Sequence, residues 1–131
     1  MRLIDTFLLD TITSRAQESP RLRMNYNFHD SLAAPSQRLI NAVEPGTIMP
    51  IHRHLHTSET YVVLRGRIKV VTYSSNRMPL MSSIIDPSKG IYGGHIDKGE
   101  WHTIEVLDRG SIIFECKDGP YIPISESCIL K

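Results

Sequence analysis

The chain has 131 residues, enough for one domain with a core and too few for two comfortable ones. Fifteen Lys and Arg against 14 Asp and Glu leave a formal net charge of +1, with neither sign gathered into a block that would grip a phosphate backbone or a lipid surface; neither nucleic acid nor a membrane is an expected partner. Two cysteines, Cys116 and Cys128, are too few for a disulfide scaffold and lack zinc-ribbon spacing, so both read as ordinary thiols, with Cys116 the buried one.

Leu3, Ile4, Phe7, Leu8, Ile12 and Ala16 recur at three- and four-residue intervals, Asp5 stands where a cap is needed, and Pro20 ends the pattern. This predicts an amphipathic helix within residues 1–20, packed against its own domain. Asp5 and Asp10 interrupt any signal-peptide core, and no run of about 18 apolar residues occurs, so the expected location is the cytoplasm. From Arg38 the pattern changes to short β-branched runs: "RLINAVEPG", "TYVVLRG", "IKVVTYS", "LMSSIID", "HTIEVL" and "SIIFECK". They predict an antiparallel sandwich or barrel over residues 38–117, with hairpin turns at "LRGR" and "DKGE" and looser loops at "YSSNRMP" and "DPSKGIYGG". Residues 118–131, with Pro120 and Pro123, are expected to run over the surface as irregular structure. With no repeat or linker, 1–131 reads as a single domain.

Three of the six histidines crowd into "IHRHLHTSET", Ile51–Thr60. On a strand, alternate side chains share a face, so His52 and His54 can grip one ion together. After a turn at "LHTS", Glu59 opens the next strand, with Tyr61 and Val63 on its face, and returns a carboxylate to the same interior. In "KGEWHTIEV" a turn at Lys98 and Gly99 delivers His102 as a fourth ligand. Imidazoles and a carboxylate suit Fe, Mn, Ni, Co or Zn, and four protein ligands leave positions open for water or substrate. A His-x-His pair taken alone is more readily explained by polar filling of a solvent-facing strand.

Read with its glycines, the stretch is Gly46, five residues, His52-x-His54, four residues, Glu59, six residues, Gly66. It resembles the first signature motif of the cupin superfamily at every spacing. The second motif is matched by Gly99 and His102, while Asp97 and Val106 replace the usual proline and asparagine. "SPRLRMNYNFH", "QRLINAVEPGTIMPIHRH", "VVLRGRIKVV", "KGEWHTIEVL" and "FECKDGPYIP" together resemble the WbuC-type cupin metalloproteins, which are associated with surface-polysaccharide (O-antigen) gene clusters. That resemblance implies an all-β cupin jelly-roll with a short N-terminal helix and one divalent transition metal. By position its ligands would be His52, His54, Glu59 and His102.

Other residues are placed by parity. Tyr61 follows Glu59 on its face and is a candidate proton carrier, as is His56 at the pocket rim. Trp101 alternates away from His102 and should pack in the core or an interface. Glu115 and Lys117 interrupt an apolar run; an outward face is the simpler placement, a pair at the barrel mouth the other. Arg38, His29 and Asn27 fall in stretches shared with the family and are candidate substrate-binding groups, Arg38 for a phosphate or carboxylate. The expected function is a metal-dependent isomerase or epimerase acting on a small sugar-type or carboxylate molecule. An Fe(II)-dependent dioxygenase and a non-catalytic binding module are the alternatives. Exposed edge strands favour a homodimer.

Overall fold

The computed structural model describes residues 1–131. Helix α1 spans Thr6–Glu18; the Asp5 carboxylate accepts the Leu8 N–H at 3.0 Å, and the helix stops two residues short of Pro20. The helix buries Leu9, Ile12 and Ala16, with Leu8 packed beside them, while Leu3, Ile4 and Phe7 are exposed. Leu8, Ile12 and Ala16 of the expected stripe are thus among the docked residues, joined by Leu9, and its first three members are not. Leu3 and Ile4 precede the first helical turn, and Phe7 faces away from Leu9 and Ile12.

Eight strands follow: β1 Arg23–Asn27, β2 Ser36–Val43, β3 Glu59–Arg65, β4 Ile68–Tyr73, β5 Pro79–Ile85, β6 Gly93–Ile96, β7 Trp101–Val106 and β8 Ser111–Asp118. They form two antiparallel sheets, ordered β1-β2-β8-β3-β6 and β5-β4-β7. The six expected strands are present. Two more, β1 and β6, were not expected. Strand β6 opens on Gly93 and Gly94, which read as loop residues, yet a β-carbon at Gly93 would lie 2.0 Å from the Tyr61 carbonyl oxygen. The glycine marks a close strand approach.

Strands β2 and β8 of the larger sheet are buried on both faces. Ile40, Ala42, Ile112 and Phe114 meet Leu9, Ile12 and Ala16 of α1. Val43, Tyr61, Val63 and Ile113 face the smaller sheet, against Ile68, Val70, Ile85 and Val106. Burial on two faces explains why β2 reads "LINAV" and does not alternate. Each fully buried isoleucine contributes about 1.5–3 kcal/mol of apolar transfer. Along β8 the inward face changes from Ile113 to Glu115 and then Lys117, so one end of the sandwich interior is apolar and the other polar.

Residues 119–131 are held rather than loose. Tyr121 N–H donates to Leu32 O at 2.7 Å, Arg53 N–H to Cys128 O at 3.0 Å, and Leu130 N–H to Ile51 O at 2.8 Å, with a 3-10 turn over Glu126–Cys128. Cys128, beneath this pairing, is the buried thiol and Cys116 is partly exposed, the reverse of the expectation. Cys116 alternates with the inward Glu115 and Lys117, and so points to the opposite face.

The turns expected as hairpins at Gly66 and Gly99 are not hairpins: β3 and β4, like β6 and β7, belong to different sheets, so each turn carries the chain from one layer to the other, and each uses a left-handed glycine, at φ 77° and φ 78°. Alanine at either costs about 1–2 kcal/mol in backbone conformation. At Gly66 the new β-carbon would also stand 2.1 Å from Ser111 Oγ and 2.9 Å from Ser111 Cα, whereas Gly99 faces open space. Gly66→Ala should therefore destabilise by about 1–3 kcal/mol more than Gly99→Ala in chemical denaturation. Equal losses would show that the turn at Gly66 has room to open.

Candidate metal centre

The His-x-His segment is not a strand of either sheet. Only His52 makes bridges, to His102 on one side and Ile129 on the other. His52 N–H donates to His102 O at 3.0 Å and His102 N–H to His52 O at 2.9 Å. Gly99 N–H donates to His54 O at 2.7 Å. The backbone carrying two imidazoles is thus bonded directly to the strand carrying the third. Glu59 is set at the start of β3 by buried Thr57, whose hydroxyl donates to Ser58 O at 2.6 Å and accepts the Asp118 N–H at 2.8 Å.

These elements bring the four predicted ligand residues together. One ligand atom from each of His52, His54, Glu59 and His102 lies within 4.8 Å of the others. Glu59 Oε1 is 3.1 Å from His54 Nε2, and Oε2 is 3.3 Å from His102 Nε2. Donors placed about 2.1 Å from a common ion stand about 3–4 Å apart, so the spacing suits a first-row metal. A second feature supports the fit. His52 Nδ1 lies 2.9 Å from Pro50 O, and His102 Nδ1 lies 2.9 Å from Glu100 O. A carbonyl only accepts, so each Nδ1 carries the hydrogen and each Nε2 can offer its lone pair to an ion.

Burial alone would raise the Glu59 carboxyl, but hydrogen bonds from His102 and His54 more than reverse this and hold it well below the usual carboxylate range. Burial pushes His52 down to about 4, helped by neighbouring His102. For His102 burial also lowers, yet its bonds to Glu59 and the Glu100 carbonyl prevail and raise it.

The four side chains open into a cavity of about 290 Å³. His56 lines it, its ring 6.2 Å from that of His54. Tyr61 does not: it is buried in the core and faces a separate cavity of about 310 Å³ beside Met81, Ile91 and Gly94. Residues two apart on a strand are about 7 Å apart along it, which carries Tyr61 past the cage. Its hydroxyl is raised by burial and by the charges of Glu59, Glu115 and Glu100.

Arg38, His29 and Asn27 also lie outside the metal cavity. Arg38 and Asn27 are exposed. His29 is buried, its Nδ1 accepting the Arg38 N–H at 3.2 Å. Arg38 falls on the β2 face opposite Asn41, and Asn41 is the residue that enters the cavity. Trp101 packs under the Arg53 guanidinium, 4.3 Å from its ring centre.

Glu115 and Lys117 take the inward placement, with Lys117 Nζ 3.7 Å from Glu59 Oε1. Glu115 is raised by burial and by Glu59. The strand parity that puts Ile113 inside would have placed both, but Ile112 is equally apolar and the sequence does not choose between the two faces. Arg23 and the C-terminal Tyr121, Ile122 and Ile124 complete the walls. For these no local signal exists, since their approach to the cage depends on long-range pairing.

A family model described as "Domain of unknown function (DUF6016)" matches residues 4–82, which include His52, His54 and Glu59 and stop short of His102. No curated protein matches the chain. Among solved structures, the capsular polysaccharide assembling protein CapF from Staphylococcus aureus superposes with a TM-score of 0.66 at 19% identity, over 80% of this chain and 30% of that one. Recombinant oxalate oxidase in complex with glycolate gives 0.60 at 13% identity, over 82% of this chain and 56% of that one. A cupin 2 domain-containing protein from Halorhodospira halophila gives 0.57 at 18% identity, over 76% and 65%. The chain spans less than a third of the CapF chain. At these identities the likeness is one of fold, and the fold is the cupin jelly roll. No helix is long and apolar enough to cross a membrane.

Metal binding requires neutral imidazoles. A raised His102 value adds stability to the metal-free fold below the unfolded value of about 6.5, and that stability is lost as pH rises through the folded value. The proton on His102 competes with the ion, so Zn(II) affinity should be weaker at pH 6 than at pH 8. A competition titration with a chromophoric chelator measures this; equal affinities would show that His102 stays out of the coordination shell.

Proposed function

This chain belongs to the DUF6016 family, a domain of unknown function, and from the chemistry of its barrel mouth we propose that it is a metal-dependent cupin moving a proton on a small hydroxylated substrate. The observation that carries this reading is the four-donor cluster opening into a 290 Å³ cavity whose wall continues through Asn41, Glu115 and Lys117. His52, His54, Glu59 and His102 would hold Fe, Mn, Ni, Co or Zn. Such an ion, when bound, supplies Lewis acidity to a hydroxyl or carbonyl oxygen beside it.

The rest falls to the chain's own side chains. Glu115 replaces Tyr61 as the proton-handling group: it lines the cavity, and its carboxyl is raised by burial and by Glu59, the direction that suits a general acid. Asn41 stands beside that carboxyl on the cavity wall, where its amide partly offsets the upward shift. Lys117, 3.7 Å from Glu59, offsets part of the negative charge. His56 stands at the wall as a second polar contact. Isomerisation or epimerisation is the reaction class this set serves.

The WbuC-type resemblance and the capsular polysaccharide role in the name of the S. aureus structure both support a sugar-type substrate linked to surface polysaccharide. The glycolate complex supports a small hydroxy acid as the carboxylate version. A cytoplasmic homodimer belongs to the same reading. Strand β5 is a free sheet edge exposing Leu80, Met81 and Ile84, and a second copy would cover it. Light scattering should return twice the 14.9 kDa chain mass; a monomer would remove that part.

Untagged protein should carry about one divalent ion per chain, lost in His52→Ala and His102→Ala. Glu115→Gln should keep the ion and slow solvent-deuterium incorporation into the turned-over sugar or hydroxy acid by about 100-fold or more. Metal-free protein with a melting temperature insensitive to chelator would end the metal reading. O2 uptake by Fe(II)-loaded protein would replace proton transfer with oxygenation.

A further inference from the structure

Behind the metal cavity lies a second depression of about 390 Å³, and the two share the wall formed by Arg23, Asn41, Glu115 and Lys117. The second space adds Ser19, Arg21 and Asn25. Three cations, Arg21, Arg23 and Lys117, thus surround it, and the carboxyl facing them is Glu115. Lys117 is already 3.7 Å from Glu59. Arg21 has no ion-pair partner, and the one side-chain bond of Arg23 runs from Nη1 to Ile48 O at 3.3 Å. A guanidinium carries five N–H donors, so most of those on two neighbouring arginines are unspent inside a concave surface.

The backbone holds the two arginines in place. Leu22, between them, adopts a left-handed φ of 56°, closing a turn in which its N–H donates to Ser19 O at 2.9 Å. Thr47 Oγ1 donates to Arg21 O at 2.8 Å, and Glu44 N–H donates to Leu22 O at 2.9 Å. Asn41 is a separate pointer to a ligand. It is only 9% exposed, it lines both cavities, and its Oδ1 has no partner. A buried carbonyl oxygen without a donor is rare and matches a ligand hydroxyl.

We propose that this depression is a phosphate subsite, so that the substrate is a hydroxylated phosphate ester whose phosphate lies between Arg21 and Arg23 while a hydroxyl donates to Asn41 Oδ1. The end of the substrate at the metal rests on the function proposed above; the phosphate end does not. Two guanidiniums left without carboxylates match the dianion of a phosphate monoester, and each planar fork can give a pair of parallel bonds to its oxygens. A carboxylate would satisfy one of the two. The subsite also sets a length requirement, because the ester must reach across the shared wall.

Inorganic phosphate titrated calorimetrically into chelator-treated protein tests the subsite without the metal. Phosphate should bind, acetate should bind at least about tenfold more weakly, and Arg21→Ala and Arg23→Ala should each weaken phosphate by about tenfold or more. His102→Ala should leave phosphate binding unchanged while abolishing metal uptake. Arg21 is exposed, so Arg21→Ala keeps the test decisive even where Arg23→Ala unfolds β1. Phosphate binding unaltered by the arginine substitutions, absent from the wild type, or lost in His102→Ala would overturn the proposal. A failed metal reading would look different: no ion in the purified protein, with phosphate still bound through the arginines.

Discussion

The pair of backbone hydrogen bonds exchanged by His52 and His102 is the constraint on which the site depends. It joins an otherwise irregular segment to the edge of a sheet and fixes the separation of two imidazoles whose sequence positions are 50 apart. Their ring centres lie 4.3 Å apart as a result. The carbonyls of Pro50 and Glu100 then set the tautomer of each ring, so orientation and protonation are both specified by main-chain atoms. A cage built this way needs little rearrangement to receive an ion, and the ordering cost is met during folding.

The larger sheet makes the cavity possible because α1 covers the outer face of β1, β2 and β8. With that face closed by Leu9, Ile12 and Ala16, the inner face is free to change character along its length. Its apolar half packs against the smaller sheet; its polar half, from Asn41, Glu59, Glu115 and Lys117, has no facing core to satisfy and surrounds open space. The same strands therefore supply stability at one end and chemistry at the other. Tyr61 stands at the boundary, which is why it packs as a core residue despite sharing a face with Glu59.

Local spacing made the cage legible. Gly46, His52, His54, Glu59 and Gly66 lie within one short stretch, and the turn at Gly99 announces the strand bearing His102. The pattern of β-branched runs gave six strands and the antiparallel class. What stayed hidden depends on contacts distant in sequence. Gly93 and Gly94 form a strand because Tyr61 and Val62 accept them at close range, and the irregular-looking C-terminus is ordered by Ile51, Arg53 and Leu32. Arg38, His29 and Asn27 stand in stretches that resemble the family, but a stretch does not specify a face, and a shift of one residue separates exposed Arg38 from Leu39 on the wall of the second depression. Glu115 and Lys117 show the converse: charged residues in a strand suggest solvent, yet here solvent reaches them from inside the barrel.

Charge balance ties these observations together. Glu59, Glu115 and Asp118 line the metal cavity against Arg23 and Lys117, while His52 is held neutral by burial. Carboxylates gathered in a space of limited polarity repel one another and are costly to desolvate. Burial and Glu59 raise Glu115, and the bonds to Glu59 and the Glu100 carbonyl raise His102, so both groups hold a proton more readily than they would in water. A divalent cation at the four donors would compete with a proton on His102 and offset the carboxylate charge around it. With Arg23 on the shared wall and Arg21 behind it both free of ion pairs, an anionic ligand is the complement that leaves the fewest charges unmatched.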